Sequence, residues 1–289
     1  MTANGAGGVV VVLGGGGAKA AAHIGAYQAI REAGIRPDRL VGTSMGAVMA
    51  ALFAAKVDPD TVLDRITGIG QDEFVQPDRF AFLRGLWARA LVKPEPFRAS
   101  VGRLVPAQRF DELEMPLTVA ATDLDTGQLT WLGWGGHDAP LIDALVASCA
   151  LSVHFPPVTV AGRRLGDGGL RAVVPVEGAL LGPARLVIAV DTGPGFDQGL
   201  PARDEFPPLV EAHDTSTAIL MAGQTEAALA LWRATPGRPS LIYVRPGVPR
   251  GGTFRTDAIR RYVEQGRAAA QAALADLPSA DAPANLPSH

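Results

Sequence analysis

The sequence predicts an α/β fold, and three observations carry that prediction. An apolar run, Val9–Leu13, passes through four consecutive glycines into an alanine-rich helical pattern. A second short run, Leu40-Val41, passes through Gly42-Thr43-Ser44-Met45-Gly46 into another helical pattern, giving β-α-β-α order. With 289 residues and 47% hydrophobic content, the chain can bury one substantial core.

Taken in order, the first strand, glycine loop and helix occupy residues 9 to 33 and stop at Gly34, and DRLVGTSMGAVMAALFAA supplies the second unit. Residues 60 to 110 read as helical and loop segments with exposed apolar bulk, among it Phe74, Phe80, Phe82, Trp87 and Phe97, a pattern suited to a cap or lid. MPLTVAATDL and QLTWLGW read as strands joined at Asp125 to Gly127, and PLIDALVASCAL as a helix ended by FPPV. VTVAGRRLGDGG reads as a hairpin and ARLVIAVDTG as a buried strand. A long helix over LVEAHDTSTAILMAGQTEAALALWRA, a last strand in SLIYVRPG and a helix in FRTDAIRRYVEQGRAAAQAALADL complete one expected domain over residues 1–278. The proline-containing stretch 279–289 reads as a frayed tail.

Composition narrows the class of partner. Net charge is −3, and nucleic acid is not an expected partner. The exception to the charge balance is Arg79 to Arg109, with seven basic residues against Glu95, which would suit peripheral contact with an anionic membrane. Solvated arginines paired with acids elsewhere would explain it equally well. Cys149 is the single cysteine, so no internal disulfide is available, which fits a reducing compartment. MTANGAGG lacks the basic start of a secretory signal, and no stretch of 18 residues is apolar and free of charge. A soluble cytoplasmic protein, peripheral to the inner membrane surface at most, is expected.

The second turn fits the G-x-S-x-G elbow, in which a serine sits between strand and helix and flanking glycines allow close packing. Ser44 is the candidate nucleophile, with Met45 as its supporting neighbour. A serine hydroxyl needs a base. Of the histidines, His23 lies on a packed helix, His137 in a glycine loop, His213 in a polar stretch and His289 in the tail, leaving His154 as the histidine candidate. The carboxylate candidate is Asp167 in Gly166-Asp167-Gly168-Gly169, supported by Gly168. An ordinary aspartate, with a pKa of about 3.9, must be partly desolvated to act as base. Acyl transfer also creates an oxyanion, and the bare backbone of Gly15, Gly16 and Gly17 at a helix start offers N–H donors for it.

Phosphate-binding readings of the glycine loop fail on detail. A P-loop needs Lys-Ser/Thr, and Lys19 precedes Ala20. The dinucleotide pattern at Gly15, Gly17 and Ala20 wants an acid ending the second strand, which instead ends at Val41-Gly42-Thr43-Ser44.

With loop, elbow and Asp-Gly-Gly turn in this order, the sequence resembles the patatin-like phospholipase family. The likeness lies in GGGGAKAAAHIGAYQAIREAGI, GTSMGAVMAALFAA, MPLTVAATDLDTGQLTW, ASCALSVHFPPV and DGGLRAVVPV, across roughly residues 9 to 195. It implies a three-layer α/β/α sandwich around a mainly parallel sheet, a Ser44–Asp167 dyad without histidine, and hydrolysis of acyl esters in lipids with neither metal nor cofactor. Lys19 falls on a basic family position, implying a structural or electrostatic role near the site. Phospholipid or lysophospholipid is the implied substrate class, with short acyl esters, thioesters or polyesters as broader ones. The chain departs from the family pattern at Ala20, at Ser152-Val153 where a Pro-Gly pair is common, and at Val173 where Asn is common. These positions bear on the shape of the acyl pocket. They also leave a second reading, a non-catalytic lipid- or protein-binding relative.

Overall fold

The computed structural model describes residues 7–70, 73, 76–78, 90–197, 207–248 and 258–275. In chain order the elements are β1 (Gly8–Leu13), α1 (Ala22–Glu32), β2 (Arg39–Thr43), α2 (Met45–Ala54), α3 (Pro59–Thr67), α4 (Pro94–Leu104), β3 (Leu117–Asp123) and β4 (Leu129–Gly133). There follow α5 (Leu141–Ser148), β5 (Val158–Val160), β6 (Arg163–Asp167), β7 (Ala184–Val190), α6 (Pro208–Ala234), β8 (Ser240–Val244) and α7 (Ile259–Leu274). Most boundaries fall within a few residues of the sequence expectation, because glycines and prolines end these segments abruptly.

Among the described residues the strands form one sheet in the order β5-β6-β3-β2-β1-β7-β8, with β4 also paired to β3. β3, β2, β1, β7 and β8 run parallel, while β4, β5 and β6 add antiparallel pairings at one end. β1 sits at the centre because its four valines and Leu13 are apolar toward both faces, and all five are buried. Val9, Val11 and Leu13 pack with α1, α2, α5 and α7 on one face. Val10 and Val12 pack with Leu229 and Trp232 of α6 on the other. The result is an α/β/α sandwich.

Helix packing follows from composition. Every residue of α2 from Gly46 to Ala54 is buried, as an all-round apolar helix requires. α1 and α7 meet backbone to backbone: a Cβ on Gly25 would lie 1.9 Å from the Val263 carbonyl oxygen, and one on Gly266 1.9 Å from that of Ala22. α3 starts at Asp58, whose side chain accepts the Asp60 N–H at 3.0 Å, with Pro59 in its first turn.

Within the region expected to form a cap, Val62, Ile66, Val92, Phe97, Val101 and Leu104 belong to the main core. Phe97, read as exposed bulk, is instead buried against Phe155 with ring centroids 5.1 Å apart. Phe74, Phe80, Phe82 and Trp87 lie outside the described residues, as does the tail 279–289. No helix among the described residues is long and apolar enough to cross a membrane.

The register of β3 brings the elbow and the Asp-Gly-Gly turn together. β4 runs along one edge of β3, and the opposite edge is shared end to end by two strands. β2 ascends in parallel until Thr43 stands opposite Ala120, and β6 descends antiparallel until Asp167 stands opposite Ala121. Both chains must leave the sheet at this junction, so Ser44 and Asp167 meet there.

Candidate active site

Ser44 occupies a strained turn. Its backbone has φ 53 and ψ −134, a region that L-residues avoid and that turns the side chain out of the strand-to-helix corner. The flanking glycines are steric necessities: a Cβ on Gly42 would lie 2.5 Å from Ala47 Cα, and one on Gly46 2.3 Å from the Gly14 carbonyl oxygen. Ser44 N–H donates to Ser148 Oγ at 2.7 Å, and Ser44 Oγ donates to Asp167 Oδ2 at 2.8 Å.

Asp167 is almost wholly enclosed, with 5% of its surface exposed. Its backbone N–H donates to the Ala150 carbonyl at 2.9 Å, and Oδ1 accepts the Gly169 N–H at 2.7 Å. Burial is the dominant influence on its carboxyl and raises the pKa from 3.8 to about 6, against the opposing pull of the Gly169 N–H and Ser44 hydroxyl. Gly168 admits no side chain, since a Cβ there would lie 2.3 Å from the Ala120 carbonyl oxygen. Met221 of α6 closes over the same turn, its Cε 3.3 Å from where a Cβ on Gly169 would be.

The glycine loop approaches the elbow from β1. The Gly15 N–H donates to the Val173 carbonyl at 2.9 Å, which differs from the expectation that it faces an oxyanion. Gly15 serves the corner through its missing side chain, because a Cβ would lie 3.2 Å from Ser44 Cβ. Gly16 is pressed against Thr192, whose carbonyl oxygen would be 2.4 Å from an added Cβ. Gly17, with φ 56, opens a short 3-10 turn leading into α1, so the amides of Gly16 and Gly17 stand at the start of helical backbone. Lys19 is buried with Nζ 3.5 Å from the Gly193 carbonyl oxygen, on the far wall of the loop. Met45, half-buried, packs on the main core behind the serine.

His154, His213 and His23 have polar partners away from Ser44. His154 Nε2 lies 3.0 Å from both carboxylate oxygens of Asp214 on α6, and His213 Nδ1 is 3.1 Å from the same carboxylate. Burial pushes the Asp214 carboxyl up, but hydrogen bonds and charge from the two imidazoles outweigh it and hold the pKa below the ordinary value. His23 is fully buried with Nε2 2.8 Å from the Gly14 carbonyl oxygen; desolvation lowers its pKa to about 4, so it is neutral near pH 7 and donates there. His137 lies exposed beyond β4, and His289 lies outside the described residues.

Two residues beside the dyad, Ser148 and Cys149, fall within the family-like stretch ASCALSVHFPPV, and one behind the glycine loop, Asp191, carries no motif. Ser148 and Cys149, at the end of α5, are buried against Ser44. The Cys149 thiol is held well above its ordinary pKa, first by burial and then by the Asp167 charge. Asp191, just past β7, accepts the Tyr243 hydroxyl at 2.5 Å, the Arg245 guanidinium at 2.8 Å and the Gly193 N–H at 2.7 Å, fixing the turn that backs Gly16. Of the basic segment, Arg98 pairs with Asp143, Arg103 with Glu73 at 2.7 Å and Arg109 with Asp111 at 2.8 Å. Arg79, Arg84 and Arg89 lie outside the described residues.

The chain is similar to known proteins over much of its length. Residues 11–180 match the family model for patatin-like phospholipases. An uncharacterized NTE family protein of Mycobacterium tuberculosis is 33% identical over 198 residues, covering 66% of this chain and 50% of that protein. Lysophospholipase NTE1 of Mycosarcoma maydis is 29% identical over 187 residues, covering 61% of this chain and 9% of that protein. The chain therefore aligns with half or less of the length of these relatives. Among solved structures, VipD from Legionella pneumophila aligns over 93% of this chain and 66% of that one, with 13% identity and a TM-score of 0.44.

Proposed function

The chain belongs to the patatin-like phospholipase family, and from that premise we propose that it is a serine acyl hydrolase acting on lipid esters. The observation that carries the reading is the 2.8 Å hydrogen bond from Ser44 Oγ to a buried carboxylate whose pKa is raised to about 6. A base poised there is ionised at neutral pH yet basic enough to take a proton as the serine oxygen becomes nucleophilic.

In this reading Ser44 Oγ attacks the ester carbonyl while Asp167 Oδ2 receives its proton. The amides of Gly16 and Gly17 donate to the oxyanion, with the helix start behind them adding a favourable dipole. Collapse of the tetrahedral intermediate expels the alcohol, which takes the proton from Asp167. Water then attacks the acyl-enzyme, gives its proton to Asp167, and the carboxylic acid leaves as Ser44 recovers its hydrogen. No histidine takes part, which is consistent with the engagement of His154 by Asp214.

Lysophospholipid or phospholipid is the substrate class we assign, in line with the lysophospholipase named among the relatives. We keep peripheral contact with anionic membrane through residues 79–109 and a cytoplasmic location as part of the proposal. The ion pairs of Arg98, Arg103 and Arg109 reduce the charge available for such contact. Fatty acid release from lysophospholipids and from p-nitrophenyl esters of graded chain length tests the reading. Release from neither by the folded protein would reject it and favour the non-catalytic alternative.

A further inference from the structure

Ser148, the last residue of α5, is wholly buried, and its hydroxyl makes two hydrogen bonds through one oxygen. It accepts the Ser44 N–H at 2.7 Å and donates to the Ala120 carbonyl at 2.6 Å. Both partners are groups that regular structure leaves short. Ser44 precedes α2 in a positive-φ conformation, so its N–H reaches neither a strand neighbour nor a helix carbonyl. Ala120 is the β3 residue at which the edge passes from β2 to β6.

Two residues further on, the Ala150 carbonyl accepts the Asp167 N–H at 2.9 Å. A single turn, 148–150, thus grips the backbone of the serine at one end and of the aspartate at the other. Among the described residues β2 and β6 stop at the junction without pairing to each other, so the two corners are joined through β3, through this turn and through the bond from Thr43 Oγ1 to the Ala172 carbonyl at 2.8 Å.

We propose that Ser148 is a positioning residue for the reaction: its hydroxyl clamps the strained backbone of Ser44 so that the nucleophile stays aimed at Asp167. Its chemical consequence rests on the proposed acyl hydrolase function, while its geometric content does not. A hydroxyl suits the task, since one oxygen both accepts and donates. Alanine would strand a buried N–H and a buried carbonyl together. The strain at Ser44 would then relax by rotation of the peptide, carrying Oγ away from Oδ2.

The test reads Asp167 directly. In the full chain labelled with 13C at aspartate carboxyls, the Asp167 resonance is titrated in the wild type and in Ser148→Ala, and ester hydrolysis and melting temperature are measured on the same samples. Two groups besides the Gly169 N–H face this carboxyl, the Ser44 hydroxyl and the Cys149 thiol. Loosening a bond that lowers the pKa should move the Asp167 midpoint up by about 0.5 to 1 unit. It should also lower kcat about tenfold to hundredfold with KM within about twofold. If Ser148→Ala does not fold, Ser148→Cys, of similar volume but a weak hydrogen-bonding group, should show both changes in smaller degree. An unmoved midpoint in a folded variant would overturn the proposal, whether or not activity falls, because a merely structural role would lower melting temperature and leave Asp167 untouched. A wild type that titrates as stated but hydrolyses nothing would instead reject the proposed function, and the midpoint shift would still decide the role of Ser148.

Discussion

His154 Nε2 lies 3.0 Å from each carboxylate oxygen of Asp214, so its bonding edge is turned to the long helix α6 and not to Ser44. A histidine spent in this way ties the segment before β5 to the helix that covers the Asp-Gly-Gly turn. The bond gives His154 a carboxylate partner on α6, and it bears on two mechanisms that the sequence leaves open.

His154→Gln should therefore keep kcat within about threefold of wild type while lowering stability by about 1 to 2 kcal/mol through loss of a buried polar contact. Steady-state hydrolysis with a thermal melt checks this. A loss of several orders of magnitude, such as removal of a general base produces, would restore the triad.

Hydrolysis should follow the ionisation of Asp167. The carboxylate is the active form, so kcat/KM should fall below a midpoint near pH 6, by tenfold per unit, and should stay level above it through pH 8. A pH–rate profile on a soluble ester checks the midpoint. Because His23 is already neutral with a pKa of about 4, it should add no step near neutrality.

The raised pKa also has a cost in stability. A carboxyl that holds its proton longer when folded makes the folded state lose stability as pH rises from 3.8 to about 6, and the loss is complete above that range. Asp167→Asn removes the buried charge and should be more stable than wild type by roughly 2 to 3 kcal/mol at pH 8, with no gain at pH 4. His23 affects both proteins alike and cancels in the comparison. Urea unfolding of the pair at the two pH values reads the difference.

Val153 has φ 72, a conformation that a β-branched residue adopts only under strain, and it stands where the family pattern often has glycine. Its side chain is 38% exposed and gains little from burial, while its carbonyl is fixed by the Leu91 N–H at 3.0 Å. Val153→Gly should raise stability by about 1 kcal/mol, the relief of strain exceeding the entropy cost of glycine. A thermal melt checks the sign.

Much of this molecule is legible in its sequence where backbone constraints act locally. Gly42 and Gly46 mark the elbow because each position has no space for a Cβ, and the four valines of β1 mark a central strand because both its faces are covered. What the sequence hides depends on distant register. Nothing local to Thr43 and Asp167 says that their strands share one edge of β3, and so the nearness of Ser44 to Asp167 rests on resemblance until Ala120 and Ala121 are seen to bring them together. The role of Ser148 is hidden for the same reason: in the sequence it lies within the expected helix PLIDALVASCAL, and its two partners lie 104 and 28 residues away. Gly15 shows the limit of reading glycines by type, since its amide is committed to Val173 although its position in the loop matches that of a donor.

If Asp167 activates Ser44, the rate at which a fluorophosphonate modifies Ser44 depends on that carboxylate. The probe forms a bond from Ser44 Oγ to phosphorus and expels fluoride, so peptide mass spectrometry at pH 8 would follow wild type, Asp167→Asn and Ser44→Ala. Wild type should label stoichiometrically at Ser44, Ser44→Ala not at all, and folded Asp167→Asn more slowly by a factor of about a hundred or more. Labelling of Asp167→Asn at the wild-type rate would contradict activation by Asp167, because Ser44 would then draw its reactivity from some other base.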